Sequence, residues 1–314
     1  MKLGALYPAA PPSAADLRVS GFALDHRKVA PGTVFGAFVG TRFNGEDFIA
    51  DAIANGAVAV VARPEAVVVG ALHIADAEPR RVFARLAAHF FAPFPATTVA
   101  VTGTNGKTST AELTRQLWRL AGHVAASIGT LGVTTANDQV STGLTTPDPV
   151  TLQTSLRQWA NAGVRACAIE ASSIGLVEHR LHGTEVRVAV FTNFTQDHLD
   201  FHGSMASYWT AKRALFDWPG LQAAVVNVDD PQGRALAKDL EQRPGFVLWT
   251  VSLHSLEGDL VSGGAQTGRA TSSHLCVRQR QVTPWGMRLV VAEGVHTAML
   301  DVPLVGDYNA ANLL

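Results

Sequence analysis

The feature that most restricts this fold is an alternation. Between residues 98 and 242, short apolar runs repeatedly lead into amphipathic stretches. "TVAVTG" runs into "KTSTAELTRQLWRLAG", and "TLQTSLRQWANAG" runs into "RACAIEAS". "VRVAVFTNF" precedes "MASYWTAKRALF", and "QAAVVNVDD" precedes "GRALAKDLEQ". Strands that are apolar almost throughout, alternating with helices, imply a mostly parallel sheet covered on both faces. Residues before this region read differently. "PGTVFGAFVG" and "AVAVVA" have strand character, "GEDFIADAIANG" has helical spacing stopped by Gly56, and "RRVFARLAAHFF" reads as a connecting helix. Prolines in "APFPAT" break that helix, so a domain boundary is expected near residue 94. Past residue 246, "FVLWTVSL", "SHLCVRQRQVT", "GMRLVVAEG" and "HTAMLDVPL" read as antiparallel strands joined by turns. The expected class is α/β. A small mixed α/β N-terminal domain (1–94) precedes a P-loop-type, mostly parallel sheet domain (95–314) with an added antiparallel β patch. The last stretch, "GDYNAANLL", reads as a helix opening cut after about two turns, so the chain is expected to be incomplete.

Bulk composition narrows the function classes. A net charge of −1 exerts no general pull on nucleic acid or acidic membrane. No apolar run approaches the roughly 18 residues of a membrane span. Prolines near the N-terminus occupy the place of a signal peptide's apolar core. Cys167 and Cys276 are the only cysteines, which suits a reducing compartment. A cytoplasmic, monomeric protein with no nucleic-acid or membrane partner is expected.

The stretch "VAVTGTNGKTST" carries the strongest chemistry. Gly103 and Gly106 let the backbone wrap a phosphate with its N–H groups turned inward. The helix that follows adds partial positive charge at its N-terminus. Lys107 can reach terminal phosphates, and the Thr108 hydroxyl can hold Mg²⁺. Only Thr104 and Asn105 separate the glycines, whereas the usual P-loop has four residues there, which argues against an ordinary kinase or motor ATPase. Glu170 ends an apolar strand at the edge where ligands bind in such sheets, so its carboxylate can serve Mg²⁺ or cap the following turn. "FTNFTQDHLDFHG" offers Asn193, Asp197, His198, Asp200 and His202 after another strand. A histidine in such a run serves equally as a local hydrogen-bonder or as a ligand. By pattern alone, Lys212 reads as a surface lysine on a helix, and "LDHR", "VGTRF" and "TTPDP" read as polar loops.

Taken together, "LDHRKVAPGTVFGAFVG", "TGTNGKTST", "TTPDP", "EASSIGL", "FTNFTQDHLDFHGSM", "YWTAKRALF" and "GDYNAANLL" resemble the Mur ligases of peptidoglycan synthesis. Within that family they resemble the branch that adds the third residue of the stem peptide. The stretches span nearly all of the chain in the family's order. The glycine loop alone is shared with folylpolyglutamate-type ligases, but the separate first domain with "LDHRKVAPGTVF" argues against that alternative. A lysine-adding homologue and a non-catalytic nucleotide-binding module remain open.

The resemblance implies roles. ATP binds at Gly103, Thr104, Asn105, Gly106, Lys107, Thr108 and Ser109, with Asn193 and Asn309 also contacting the nucleotide. Thr108 and Glu170 hold one Mg²⁺ and His198 a second, while Lys212 combines with CO₂ to form a carbamate that helps bind metal. Lys107, Lys212 and His198 form the catalytic set. Leu24, His26, Thr41, Arg42 and Phe43 grip the UDP part of the substrate. Thr145, Thr146, Ser172, Glu178 and Arg180 hold its muramoyl-peptide part. The implied partners are a UDP-MurNAc-dipeptide and an amino acid, with meso-2,6-diaminopimelate favoured. The family also carries a third, C-terminal α/β domain that this chain is expected to lack, leaving it with little ligase activity of its own. Four positions depart from the family's wording: Ile174 where His is common, His26 for Ser, Glu178 for Gln, and Leu144 for Asn.

Overall fold

The computed structural model describes residues 1–40, 43–135, 138–254 and 269–314. They form two compact units. One comprises 1–94, 147–162 and 177–184, and the other comprises 95–146, 163–176 and 185–314.

The first unit is built on a parallel sheet in the order β1 (Gly21–Ala23), β2 (Thr33–Gly36), β3 (Ala57–Ala62), β4 (Leu72–Ala75). Short helices α1 (Leu3–Leu6) and α2 (Pro12–Ala15) precede it, α3 (Ile49–Ala54) links β2 to β3, and α4 (Pro79–Phe91) follows β4. The apolar run of β3 is explained by burial on both faces. Ala59 and Val61 pack with Val34, Phe83 and Leu86, while Val60 and Ala62 pack with Phe35, Ile49 and Ala52. Pro79 starts α4 at a position where a missing N–H costs nothing. Phe83, Leu86 and Ala87 fall on the helix's buried face at the spacing of one turn.

The second unit contains an eleven-stranded sheet whose middle is parallel. β5 (Thr97–Thr102) leads into α5 (Lys107–Leu120), then β6 (Ala125–Gly129), β7 (Gly132–Thr134) and β8 (Gln139–Val140). Next along the chain, α6 (Pro149–Asn161) belongs to the first unit. There Gln153 Nε2 donates to Thr184 Oγ1 at 2.8 Å and Arg157 Nη1 to the Phe90 carbonyl at 3.2 Å. Gly183 is also pressed against α4, because a β-carbon there would lie 2.6 Å from that of Ala88.

β9 (Ala166–Glu170), α7 (Ser173–Val177), β10 (Val188–Phe191), α8 (Leu199–His202), α9 (Met205–Arg213), β11 (Ala223–Asn227), α10 (Pro231–Glu241) and β12 (Val247–Ser252) continue the chain. β13 (Thr271–Thr283), β14 (Gly286–Glu293), β15 (His296–Val302) and α11 (Asp307–Leu313) complete it. The sheet order is β15-β14-β13-β12-β11-β10-β5-β9-β6-β7-β8. β5 therefore has β9 on one side and β10 on the other, a point where the winding reverses and ligands bind in this class.

One expectation is corrected here. "FVLWTVSL" was expected to begin an antiparallel patch, but β12 pairs parallel with β11 and with β13. The helix α10 carries the chain back to its starting end, so the strand it delivers runs parallel. Only β13, β14 and β15 pair antiparallel at that edge, and β6, β7 and β8 do so at the other.

Asp148 caps α6, its Oδ1 accepting from the amides of Val150 and Thr151. Asp148→Ala removes both bonds and should cost about 1 kcal/mol of stability. The loss should appear as a lowered midpoint in urea denaturation, and Asp148→Asn should recover most of it.

Candidate functional site

The loop after β5 accepts no side chain at either glycine. Gly103 has φ 145°, and a β-carbon there would lie 1.9 Å from Thr192 Oγ1. Gly106 has φ 86°, and a β-carbon would lie 2.3 Å from Asn312 Oδ1. The loop's remaining groups are tied to the end of β10. The Thr104 amide donates to the Asn193 carbonyl at 2.8 Å, and the Asn105 amide to Asn193 Oδ1 at 2.9 Å. In return Asn193 Nδ2 and Thr192 Oγ1 both donate to the Asn105 carbonyl. Asn193 thus braces the loop in this structure. Lys107 opens α5, and its Nζ donates to the carbonyls of Gly103 (3.0 Å) and Thr104 (2.7 Å). Burial holds its ammonium below the usual lysine range. Ser109 lies half-buried in the first turn of the same helix.

Glu170 sits at the end of β9, only 1% exposed. Its Oε1 accepts from the Thr130 amide at 2.7 Å, and its Oε2 accepts from Thr108 Oγ1 at 3.0 Å and Thr130 Oγ1 at 3.3 Å. Burial raises its pKa above the ordinary carboxylate value, against these hydrogen bonds and the nearby Lys107 charge. Gly129 makes room for it, since a β-carbon there would meet Oε1 at 2.0 Å. The chemistry fits a hard divalent cation. A buried carboxylate and a hydroxyl, both oxygen donors, stand together beside the glycine loop. Among the described residues, no group of three or more His, Cys, Asp or Glu side chains is placed to hold a metal.

The surface-lysine reading of residue 212 is corrected. Lys212 is 1% exposed, and its Nζ donates to the Gly103 carbonyl at 2.6 Å. The Nζ also lies 4.4 Å above the ring of Tyr208, one helical turn earlier on α9. Burial, and then the charge of Lys107, bring its pKa down to about 7. Tyr208 in turn shares a hydrogen bond with Thr104 Oγ1 at 3.2 Å. His198 stands apart from these groups. Its side chain is 44% exposed, with Nε2 3.5 Å from Asp197 Oδ2 and its ring 6.3 Å from that of Tyr208. Its φ of 49° is left-handed, an unusual conformation for a histidine at the start of α8.

Other sequence-derived positions fall into two groups. In the second unit, Thr145 Oγ1 pairs with Thr130 Oγ1 at 3.1 Å. Thr146 Oγ1 donates at 2.6 Å to the carbonyl of Glu170, and Ser172 donates its amide to that same hydroxyl. These threonines and Ser172 therefore surround the Glu170 end of β9. In the first unit, Leu24 packs into the core, His26 stacks on Phe48 at 4.5 Å, and Phe43 is largely exposed. Glu178 forms an ion pair with Arg80 at 2.7 Å, and burial holds the half-buried Arg180 below the usual arginine value. Thr41 and Arg42 lie outside the described residues.

A cavity of about 530 Å³ opens beside the glycine loop. Leu113, Leu117, Val225 and Val251 give it apolar walls, while Asn105, Asn193 and Asp229 supply polar groups. Asn312 also lines it, whereas Asn309 bonds to the Val305 carbonyl. Sequence reasoning had not singled out Asn312, Thr130 or Tyr208. Two of these positions carried a signal: Asn312 is one helical turn beyond Asn309, and Tyr208 is one turn before Lys212.

The profile described as "Mur ligase middle domain" matches residues 101–314. The chain belongs to the Mur ligase family. A second profile, "Mur ligase family, catalytic domain", matches residues 18–91. The UDP-N-acetylmuramoyl-L-alanyl-D-glutamate–2,6-diaminopimelate ligase of Acidovorax sp. (strain JS42) is 46% identical over 313 residues, covering 95% of this chain and 59% of that protein. The ligase of the same name from Zymomonas mobilis is 44% identical over 305 residues, covering 96% of this chain and 59% of its own length. A solved structure of a ligase with that name superposes with a TM-score of 0.85 at 28% identity, covering all of this chain and 62% of the other. The chain thus spans about three-fifths of the length of these Mur ligases.

The buried amine gives a pH signature. Folded Lys212 loses its proton near 7, and the unfolded residue near 10.5. Between these values only the unfolded chain holds the proton, so this residue's contribution to stability rises with pH. Below about pH 7 both states are protonated and the full cost of the buried charge is present. The stability of the wild type relative to Lys212→Met should therefore increase between about pH 7 and about pH 10. A difference that stays flat across that range in denaturation experiments would refute the shifted pKa.

Proposed function

We propose that this chain provides the nucleotide-binding and acceptor-binding parts of an ATP-dependent amide ligase of peptidoglycan precursor synthesis. The acceptor is UDP-MurNAc-L-Ala-D-Glu, and the amino acid joined to it is meso-2,6-diaminopimelate. The observation that carries this reading is the convergence of Lys107, Thr108 and Glu170 around one glycine loop at the sheet's reversal point. The named relatives support the choice of acceptor and amino acid.

In this reading the dipeptide's free carboxylate takes the γ-phosphoryl group of ATP, and the amine of the incoming amino acid displaces phosphate from the acyl phosphate. No side-chain nucleophile is needed; positioning and charge neutralisation supply the rate. Lys107 exchanges its loop carbonyls for the terminal phosphates. The amides of Lys107 and Thr108 at the start of α5 face the phosphate chain, and the adjoining cavity takes the nucleoside, with Asn193 and Asn312 at its polar side; Asn309 reaches the nucleotide only by leaving the Val305 carbonyl. Thr108 and Glu170 would hold one Mg²⁺ and His198 would serve a second, and the metal would supply neutralising charge for the phosphate oxygens.

Lys212 is suited to carbamate formation because burial brings its pKa down to about 7, so a substantial fraction of the amine is neutral near physiological pH. The lone pair attacks CO₂, the nitrogen gives up a proton to solvent, and an anionic oxygen ligand results. Thr145, Thr146 and Ser172 hold the muramoyl-peptide end near Glu170. Leu24, His26, Thr41, Arg42 and Phe43 hold the UDP part, and Glu178 and Arg180 also serve the muramoyl-peptide part. A cytoplasmic location agrees with a UDP-linked substrate, and no helix among the described residues is long and apolar enough to cross a membrane.

Calorimetric titration tests the reading. The chain should bind UDP-MurNAc-L-Ala-D-Glu saturably and a folate not at all. Lys107→Ala should keep its melting temperature and weaken ATP binding by about tenfold or more. Binding of neither acceptor by folded protein, or unchanged ATP affinity in the variant, would overturn it.

A further inference from the structure

Arg80 stands in the first turn of α4 and reaches three partners from two chain segments. Its Nη1 lies 2.7 Å from Glu178 Oε2, its Nη2 donates to the Val39 carbonyl at 3.0 Å, and its guanidinium carbon lies 5.0 Å above the Phe38 ring. Phe38 and Val39 follow β2, whereas Glu178 follows α7. All four residues line one cavity of about 300 Å³ in the first unit. The next residue on its wall, His179, has φ 54°, a conformation that costs a non-glycine residue energy and recurs at binding sites.

Charge accounting singles out this pair. Three further charged groups line the cavity wall: Arg63, Glu78 and Glu178. Arg63 is paired with Glu46 at 2.8 Å, and Glu78 with Arg81 at 2.7 Å. The Glu178 carboxylate is three-quarters buried, and its ion-pair partner is Arg80. The Arg180 charge also acts on Glu178, but without Arg80 the carboxylate would lose the cation in contact with it and leave the cavity wall more negative, partly shielded from water. A substrate carrying a diphosphate and carboxylates would be repelled there. A guanidinium suits the position because its planar fork serves two acceptors at once while its face stacks on a ring.

We propose that Arg80 is a positioning residue for the anionic acceptor. It neutralises Glu178 and clamps the Val39 segment to the Glu178 segment, so that the cavity wall offers hydrogen bonds without net negative charge. This rests on the proposed reading that the first unit and Glu178 receive the UDP-linked muramoyl dipeptide.

The test is calorimetric binding of UDP-MurNAc-L-Ala-D-Glu to the whole chain, its Arg80→Ala variant and the Arg80→Ala/Glu178→Gln double variant, with a thermal melt of each. Arg80→Ala should weaken binding by the folded protein about tenfold. The added Glu178→Gln should recover most of that loss, because no carboxylate remains to repel the ligand. A purely structural role for Arg80 would give no such rescue. If Arg80→Ala melts early, Arg80→Gln, which also lacks the charge, supplies the same comparison. Wild-type affinity in Arg80→Ala, or a double variant no better than the single, would overturn the proposal. Absence of binding by the wild type would instead overturn the underlying acceptor reading, and the proposal with it.

Discussion

Two buried amines meet at one carbonyl oxygen. Gly103 O accepts from Lys107 at 3.0 Å and from Lys212 at 2.6 Å. Burial is the larger cause that brings the Lys212 pKa down to about 7, and repulsion from the Lys107 charge at the shared acceptor adds to it. Much of the surrounding structure serves this point. Gly103 must be glycine because Thr192 stands against it, and Thr192 and Asn193 hold the loop that presents the carbonyl. Tyr208 supports the Lys212 amine from below and the loop through Thr104. A glycine loop, a strand end and a helix are thereby fastened together by a few polar contacts in a largely apolar sheet.

The alternation of apolar runs and amphipathic stretches was enough to read the parallel sheet, and the glycine loop falls at the end of β5 where the sheet's winding reverses. Strand direction beyond residue 246 was not readable in the same way. An apolar run fixes that a strand is buried, while direction depends on how the preceding connection returns the chain. Nearly continuous burial in β12 is the mark of a strand inside a sheet, and β15, exposed along almost its whole length, is the mark of an edge.

The candidate site was legible where backbone chemistry demanded particular residues, as at Gly103, Gly106 and Glu170. It was less legible where a side chain's surroundings decide its behaviour. A lysine at position 212 looks ordinary in sequence, and only the packing of α9 against the loop takes it out of water. Thr130 belongs to no quoted motif, and Tyr208 opens one without a role of its own; both matter through the groups they touch. Asn312 lies against Gly106, a proximity that sequence spacing from Asn309 could suggest but not establish.

The first unit is assembled from three stretches of chain, ending at residue 184. During synthesis, its parallel sheet and α4 emerge early, but α6 and the 177–184 segment that cover α4 emerge only after β5, α5 and β6. A nascent chain must therefore carry an unfinished first unit while the second begins to form. Polypeptides that expose apolar helix faces in this interval are open to misassembly and to chaperone capture. The same order means that a chain cut at residue 94 would leave its first unit without two of its three stretches.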